Sequence, residues 1–381
     1  MLISDKESTE IKVIRNWHDF KSLKIGWQKL LSQSDADNIF LTWEWINCWQ
    51  KTQSPLIQPF IIIIEDDQQI LAIAPFYIQD YRLANLITYR SLRFVGDQGT
   101  GSEYSNFIVK AEQSVELKTR LWAHLLSPDI KAFWDFIWFT NVSAWTEGGK
   151  SLLQSLASVK GLNCNQRTVE FGLTPLASLD RDVLPSLSRN QRATVNKTYR
   201  KLNEHGKLKM ALTDQSSDLS SHLEQLFTLH NQHWKNAGLG TFQRRPELVA
   251  FYRVFVPIAY EKGWLRLLRL ESDNEIQAMQ IGYVYNNSFL SIQEGFNPDF
   301  IPGAGQVLRH FSFNNCHQEG LKCYDFLGDY TDHKRRWLAE KKLGTNLFIW
   351  QDKTKNLPFR IKNIWPTGRY LKPILLPIKS N

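Results

Sequence analysis

Residues 288–328 read SFLSIQEGFNPDFIPGAGQVLRHFSFNNCHQEGLKCYDFLG, and this stretch decides the expected fold. The pattern predicts a strand over residues 289–295, a turn rich in Pro and Gly, a helix that begins near Gln306, and a second strand around Tyr324. A turn that leads from a strand into a helix leaves backbone N–H groups unpaired, with the positive end of the helix dipole behind them. Such a turn suits an anionic group such as a phosphate. We therefore expect any cofactor to dock here.

The length and composition are those of a two-domain globular protein. The chain has 381 residues, of which 43% are hydrophobic and 22% are charged. Fourteen Trp residues are an unusual number. Several of them, such as Trp45 and Trp49, stand among other apolar residues. We therefore prefer core filling to an aromatic-lined sugar or lipid groove as their role.

Charge and cysteine content narrow the partners and the compartment. A net charge of +8 favours an anionic partner, which could be a nucleotide, a phospholipid surface, RNA or a charged glycan. The four cysteines are widely spaced, so we expect neither a metal site nor a disulfide framework, and a cytoplasmic location fits best. No apolar run approaches the roughly 20 residues that a membrane span needs. We expect a protein that is soluble or at most peripheral to a membrane.

Both halves of the chain show the same order of elements, which reads β, α, α, β, β, β, α, β, α, β. Each half contains an apolar hairpin, predicted over residues 59–65 and 70–78 in the first half and over 264–270 and 276–285 in the second. The shared order argues for duplication. We predict an α/β fold with two domains, 1–172 and 173–381, each a mixed sheet flanked by helices.

Four further segments carry specific expectations. One helix is predicted over residues 18–31, and residues 173–185 are interpreted as a connector. Residues 188–206 predict a basic helix that ends at Gly206; its charged face is either simply solvated or a surface for an anionic acceptor. In the first half, Gly96, Gly99 and Gly101 also suggest a phosphate cradle, but they run toward a strand rather than into a helix, so we interpret them as a loop.

The element order, with its Gly-rich turn between the fourth strand and the third helix, resembles the GNAT (general N-acetyltransferase) fold. Several local patterns strengthen the likeness over residues 43–350, namely Trp43-Glu-Trp45, Ser188-Arg-Asn-Gln-Arg192, His230-Asn-Gln-His-Trp234, Gly295-Phe-Asn-Pro-Asp299, Pro302-Gly303, Tyr324-Asp-Phe-Leu-Gly-Asp329 and Lys334-Arg-Arg-Trp337. Together they resemble the BioF-like, or CelD-like, acetyltransferases, which are related to the FemAB aminoacyl transferases with paired GNAT-like domains. Members of this group are often linked to cellulose or other extracellular polysaccharide synthesis.

The resemblance implies that acetyl-CoA or another acyl-CoA binds at the turn. Gly303 and Gly305 let the backbone approach the phosphates without a Cβ in the way, although a plain helix start after Pro302 is the alternative. The residues expected to contact the cofactor are Gly295, Phe296, Pro302, Gly303, Ala304, Gly305 and Gln306.

Acyl transfer also needs a group that removes the acceptor's proton. Strand alternation places Glu294 on one face with Leu290 and Ile292, beside the turn where an acceptor would arrive. Asp325 lies on the next strand, where it is either catalytic or a buried carboxylate that holds the backbone or Lys334. Lys334 gains weight because related transferases have a Lys there. His310 and His333 are weaker candidates.

Asp329 follows the second strand and is either catalytic or a helix cap ahead of Thr331. With it, the candidate catalytic residues are Glu294, Asp325, Asp329 and Lys334.

Three functions remain open. The preferred one is an acyl-CoA-dependent N- or O-acyltransferase acting on a small molecule or on a cell-envelope or exopolysaccharide (cellulose-type) precursor. The second is a FemAB-like transferase that takes its donor from aminoacyl-tRNA, with the basic helix binding the RNA. The third is a non-catalytic scaffold that contacts a membrane through residues 355–379. The sequence leaves the oligomeric state open.

Overall fold

A computed structural model of the chain describes residues 9–53, 57–67, 69–83, 86–97, 99–179, 181–214, 218–234, 242–360 and 375–378. The chain divides into two compact units: unit 1 comprises Met1–Val169 with Leu343–Asn381, and unit 2 comprises Glu170–Lys342. The domains predicted at 1–172 and 173–381 stay a prediction, and the units differ from them because the chain from Leu343 onward belongs to unit 1. Residues 361–374 and 379, most of the segment expected to contact a membrane, lie outside the described residues.

The strands are β1 (Glu10–Ile14), β2 (Gln58–Asp66), β3 (Gln69–Leu83), β4 (Ile87–Phe94), β5 (Ile108–Val109), β6 (Phe136–Val142), β7 (Leu162–Pro175), β8 (Leu208–Leu212), β9 (Leu265–Ser272), β10 (Glu275–Tyr285), β11 (Ser288–Phe296), β12 (Cys323–Gly328), β13 (Glu340–Gln351) and β14 (Leu375–Pro377). The helices are α1 (Trp17–Ser22), α2 (Lys24–Leu31), α3 (Trp43–Thr52), α4 (Ser114–Leu125), α5 (Glu147–Ala157), α6 (Arg189–His205), α7 (Leu219–Trp234), α8 (Pro246–Glu261), α9 (Ala304–Gln318) and α10 (Asp332–Arg335). None of these helices, within the described ranges, is both long and apolar enough to cross a membrane.

Unit 1 contains a mixed sheet in the order β1-β2-β3-β4-β6-β13, and β5 and β14 also pair with β3. Strand β4 runs parallel to β6, whereas β2 and β3 form the expected antiparallel hairpin. Six consecutive residues of β2 are buried, which means that both faces of this strand are covered. Helices α4 and α5 contribute Trp122 and Leu152 to a core that also contains Phe76 and Phe139.

Unit 2 contains a mixed sheet in the order β7-β12-β11-β10-β9-β8, in which only the pair β11 and β12, among the described strands, is parallel. Helices α6 and α9 supply Val195, Val307 and Phe313 to its core, where they meet Tyr324 and Trp337. Helix α7 packs on β10 and β11. From β8 to β13 the order is β, α, α, β, β, β, α, β, α, β, so the expected mixed α/β organisation is confirmed.

The structure differs from the expectations in places where long-range contacts decide. The single helix predicted over residues 18–31 is two helices, because Leu23 ends α1 through an N–H bond to the carbonyl of Phe20 and then begins α2. Strand β4 was not foreseen in its Tyr- and Arg-rich segment. The predicted connector over residues 173–185 begins as strand, because β7 pairs with β12 as far as Pro175. Trp45 and Trp49 are fully buried, as core filling requires.

Candidate active site in unit 2

Strands β11 and β12 separate after a short stretch of parallel pairing. The pairs are Ser288 with Cys323, Phe289 with Tyr324 and Leu290 with Asp325. Beyond them, β11 continues to Phe296 and β12 to Gly328 without further pairing between the two. The backbone of β11 from Ser291 onward therefore has one edge open toward a ligand.

A bulge in β11 decides where Glu294 points. The register between β10 and β11 shifts by one residue, which leaves Ile292 without a partner. After this extra residue the side-chain alternation is reversed. Glu294 contacts Arg309 of α9, and α9 packs in the same core as Phe289. The prediction that Glu294 shares a face with Leu290 is wrong, because it assumed unbroken alternation.

The turn between β11 and α9 ends at Gly303, the N-cap of the helix. Gly303 has a φ of 98°, in the left-handed region that favours glycine, and it offers no capping side chain. The N–H groups of Ala304 and Gln306 bond to the carbonyls of Ile301 and Gly303. The N–H of Gly305 has no backbone acceptor among the described residues, and it lies at the positive end of the helix dipole.

Helix α6 packs against this turn. Nε2 of Gln191 donates to Oε1 of Gln306 at 2.7 Å, and a Cβ placed on Gly303 would lie 2.7 Å from Oγ1 of Thr198. The side chain of Gln306 is therefore engaged with α6. A ligand at the turn meets the backbone of α9 rather than the Gln306 side chain. Pro302, just before the N-cap, is exposed, and Ala304 is buried.

Helix α7 approaches β11 closely at Gly295. A Cβ on Gly295 would lie 2.4 Å from the backbone nitrogen of His230, so this approach requires glycine. The rings of Phe296 and His233 lie 3.6 Å apart between centroids, and a Cβ on Gly305 would lie 3.3 Å from Cδ1 of Phe296. Of the residues expected to contact the cofactor, Gly295 thus packs against α7, whereas Phe296 lies between α7 and the turn.

An arginine links two groups at the open end of β11. The guanidinium of Arg309 forms an ion pair with Glu294 and donates to Nε2 of His333. Burial raises the pKa of Glu294, but the charge and hydrogen bond of Arg309 and the neighbouring histidines together outweigh it, so the pKa lies below its ordinary value. Desolvation and the same positive charge lower the pKa of His333 to about 4. At neutral pH, Glu294 is an ion-paired carboxylate and His333 is a neutral imidazole.

Asp325 and Lys334 hold the end of β12. Nζ of Lys334 donates to three successive carbonyl oxygens, at 2.8 Å for Phe326, 3.2 Å for Leu327 and a short contact for Gly328. Oδ1 of Asp325 accepts from the N–H of Leu327 at 2.8 Å, where the backbone is left-handed with a φ of 60°. These contacts fix the shape of the chain opposite the open edge of β11.

Asp329 is exposed and also has a left-handed backbone, with a φ of 59°. The cap of α10 is Thr331, whose side chain accepts from the N–H of Lys334. The structure thus brings Glu294 together with Arg309 and His333, whereas Asp325 and Lys334 both bond the backbone of Leu327. Their chemical roles stay predictions.

Two residues at this site were missed from the sequence. Arg309 follows Gly305 by four residues and so lies one helical turn further along the same side of α9, a spacing that could have been noticed. His233 belongs to a quoted motif, but nothing local shows that its ring would contact Phe296. Burial lowers the pKa of His233, and its Nδ1 is buried without a hydrogen-bond partner among the described residues.

Comparisons with known proteins bear on the family and the fold. Residues 189–335 match the family model described as the acetyltransferase (GNAT) domain, which is less than half of the chain. No curated protein matches the chain. Among solved structures, the chain is similar to FemX, with a TM-score of 0.62, 12% identity, and coverage of 93% of this chain and 100% of that chain.

Two other structures are also similar. One is the C-terminal domain of a putative lysylphosphatidylglycerol synthetase from Agrobacterium fabrum, with a TM-score of 0.54, 12% identity, and coverage of 90% of this chain and 96% of that one. The other is a conserved protein of unknown function from Bacteroides thetaiotaomicron, with a TM-score of 0.52, 12% identity, and coverage of 90% and 100%. Likeness at this identity shows the fold alone. The chain has a mixed α/β fold like that of these structures, and residues 189–335 are similar to the acetyltransferase (GNAT) domain family.

Proposed function

We propose that unit 2 is an acyl-CoA-dependent N- or O-acyltransferase of the BioF-like or CelD-like kind. Its acceptor is an amine or hydroxyl group on a cell-envelope or exopolysaccharide precursor. One observation carries this proposal: the open edge of β11, which ends at Phe296, is followed after the six residues 297–302 by an uncapped helix start at Gly303. A long substrate with an extended chain and a pyrophosphate needs these two features side by side.

Each part of the site has a role in this proposal. The N–H of Gly305 and the positive end of α9 hold the phosphates, and the free edge of β11 pairs with the extended part of the donor. The donor supplies an acyl group activated as a thioester. The backbone of β11 polarises the thioester carbonyl, and water is excluded by Phe296.

Glu294 is the proposed catalytic carboxylate, because it stands at the open edge with 32% of its side chain exposed. Its ion pair with Arg309 makes it a weak base, so it orients the acceptor and its proton rather than holding that proton for long. Asp325 and Lys334 act as positioning residues for the end of β12. Asp329 is a candidate for contact with the acceptor.

We place the reaction in the cytoplasm. The four cysteines are free thiols in the structure. The proposal also requires the acyl-CoA donor to be present in the same compartment as the protein. Cys48 and Cys316 are buried, and burial raises the pKa of the Cys48 thiol to about 11. This supports an unreactive, structural role for that cysteine.

Calorimetry with acetyl-CoA tests the proposal. We expect wild type to bind and Gly305→Val to bind about tenfold more weakly, because the new side chain presses on Phe296 and covers the N–H. Gly320→Ala, just beyond the other end of α9, has open space but a left-handed φ of 69°, so this control should lose about 1 kcal/mol of stability and bind normally. Adding Gly303→Val should abolish binding, but it also strains the contact with Thr198, so thermal unfolding must be measured alongside. Absence of binding by wild type would overturn the proposal.

The second candidate, an aminoacyl-tRNA-dependent transferase, has one observation in its favour. Lys197, Arg200 and Lys201 of α6 are exposed, and this helix packs beside the turn. Triple substitution of these residues by Ala should remove tRNA retention at low salt and leave acetyl-CoA binding unchanged. If wild type retains no tRNA at low salt, this candidate is dismissed.

A further inference from the structure

Unit 2 has a cleft of about 610 Å³ that is separate from the opening between β11 and β12. One wall is α7, and the other is the end of the β9–β10 hairpin with Asn297. The residues of α7 that line the cleft run from His222 to Gln232. Ten residues of helix extend about 15 Å, so the cleft is an elongated groove rather than a hole for a single small group.

The lining of the cleft is rich in amides and includes one hydroxyl group. Gln225, Thr228 and Gln232 are exposed on α7, and they face Gln277 and Asn297 across the groove. Leu229 and Ile276 are the aliphatic residues that line it. Amide groups both donate and accept hydrogen bonds, which suits a ligand that carries many hydroxyl groups.

The charge of the cleft opposes that of the whole chain. In a protein with a net charge of +8, no Lys or Arg is found among the described residues that line it. Glu271 is neutralised by ion pairs with Arg269 and Lys209, whereas Glu275 is exposed in the groove. This arrangement repels a polyanion such as RNA and accepts an uncharged or positively charged ligand.

One end of the cleft meets the cofactor turn. Asn297 lines the cleft and is also the first residue after β11. Its N–H donates to the carbonyl of Gln277 at 2.9 Å, and its Nδ2 donates to Oε1 of Gln277 at 3.0 Å. Gln232 precedes His233, whose ring lies against Phe296. A ligand in the groove would therefore reach toward the donor end of β11.

We propose that this cleft binds the acceptor, and that the acceptor is an oligosaccharide that is uncharged or carries amines. The amides of α7 and of the hairpin bind its hydroxyl groups, and Glu275 favours an amine-bearing sugar. This inference rests on the proposed transferase function, and it narrows the acceptor to a glycan without acidic groups.

Binding of three defined oligosaccharides tests the inference in the full chain. We expect a glucosamine tetramer to bind best, cellotetraose to bind more weakly and tetragalacturonate not to bind, as measured by calorimetry or ligand-observed NMR. The double variant Gln225→Ala, Gln232→Ala should weaken binding of the first two about tenfold, because each exposed amide loses hydrogen bonds to hydroxyls. Gln318→Ala, an exposed amide at the end of α9, is the matched control.

A second pair of variants tests the role of charge. Glu275→Gln should remove the preference for the glucosamine tetramer and keep cellotetraose binding, whereas Glu261→Gln, an exposed carboxylate at the end of α8, should change neither. Preference for the galacturonate, unchanged binding in the double variant, or binding of acetyl-CoA without any of the glycans would overturn the inference. That last result would leave the proposed acyl-CoA site intact. Glycan binding without acetyl-CoA binding would instead overturn the proposed function and, with it, the acceptor role of the cleft, and would leave the cleft as a glycan-binding site.

Discussion

Strand β4 of unit 1 and strand β11 of unit 2 hold the same place in their element orders, yet only β11 leads to an open site. Each pairs in parallel over three positions with the strand that follows the next helix. Strand β4 ends at Phe94, directly after its last pair at Arg93, whereas β11 runs on from Leu290 to Phe296. The extra length of β11 creates the free edge that a donor substrate needs.

The glycines that follow these two strands also act differently. In unit 1, Gly96, Gly99 and Gly101 are all left-handed, and the loop bonds to itself: Oγ1 of Thr100 and Oγ of Ser102 donate to the carbonyl of Gly96 at 2.6 and 2.5 Å. In unit 2, Gly303 alone of the turn's glycines is left-handed, and it precedes an uncapped helix. Glycine spacing therefore indicates a phosphate site only where backbone N–H groups remain without an acceptor.

The interior beside the two strands differs as well. In unit 1, Arg93 donates to Asp97 at 2.6 Å and to the hydroxyl of Tyr81 at 2.8 Å, and its guanidinium lies 4.1 Å from the ring centroid of Trp138. Only 3% and 1% of the Arg93 and Asp97 side chains are exposed. In unit 2, the ion pair beside β11 joins Arg309 of α9, whose side chain is 4% exposed, to Glu294 of β11, whose side chain is 32% exposed. The unit 1 pair is closed to ligands, and the unit 2 pair is not.

The largest expected effect comes from breaking these two ion pairs. Arg93→Met should lower the free energy of unfolding by about 3–5 kcal/mol, because Asp97 would remain buried without its partner. Arg309→Met should cost less, about 2 kcal/mol, a value between those for exposed and for fully buried pairs, since Glu294 keeps partial contact with water. Denaturant unfolding followed by Trp fluorescence measures both. Equal losses would show that the two pairs are buried alike, so that the unit 2 pair would be no more open than the unit 1 pair.

The next effect concerns the dependence of stability on pH. Imidazoles of unit 2 titrate in the acidic range, in which Arg93 of unit 1 does not titrate. Burial lowers the pKa of His230 to about 4 in the folded state, below its ordinary value of about 6.5. The unfolded chain therefore takes up the proton first, so this stability is complete above pH 6.5 and is lost as the pH falls toward 4. The loss should total roughly 3 kcal/mol, at about 1.4 kcal/mol per pH unit.

His230→Gln should flatten that slope by about one proton between pH 6 and 4.5, as measured by denaturant unfolding at several pH values. His18→Gln, an exposed histidine in unit 1, is the matched control. An unchanged slope in His230→Gln would mean that this residue does not titrate abnormally.

A smaller effect is expected from Gly295→Ala, which tests how closely α7 approaches β11. The added Cβ would lie 2.4 Å from the backbone of His230, so α7 must shift, at a cost of about 1–3 kcal/mol. Hydrogen exchange should report faster opening of α7 and β11 than of α4 in unit 1. Wild-type protection of α7 in this variant would argue that the helix does not depend on the glycine.

The smallest effect is expected in the loop of unit 1. Gly101→Ala places a Cβ in open space at a φ of 75°, which should cost about 1 kcal/mol and leave acetyl-CoA binding unchanged. Calorimetry beside thermal unfolding separates the two quantities. Loss of acetyl-CoA affinity in this variant would place a donor site in unit 1 and contradict the interpretation that its loop is closed.

The sequence by itself determined the elements of unit 2 and the place of the turn. The basic helix and the second hairpin were predicted to within two residues of α6, β9 and β10, because alternation, helical periodicity and end signals such as Gly206 are local properties. The same holds for Gly303 and Gly305, whose position between a strand and a helix is visible in the order of residues. The mixed α/β fold followed from that order.

The tertiary structure alone decided what the site contains. The bulge at Ile292 reversed the face of Glu294, and Arg309 became its partner across β11 and α9. Lys334 was predicted as a candidate catalytic residue, but the hydrogen bonds of its Nζ to carbonyls at the end of β12 were not predicted. Strand registers, bulges and ion pairs depend on residues far apart in the chain, and one unpaired residue changes every side chain that follows. Local patterns contain no information about such partners, so they set the scaffold and left its chemistry to packing.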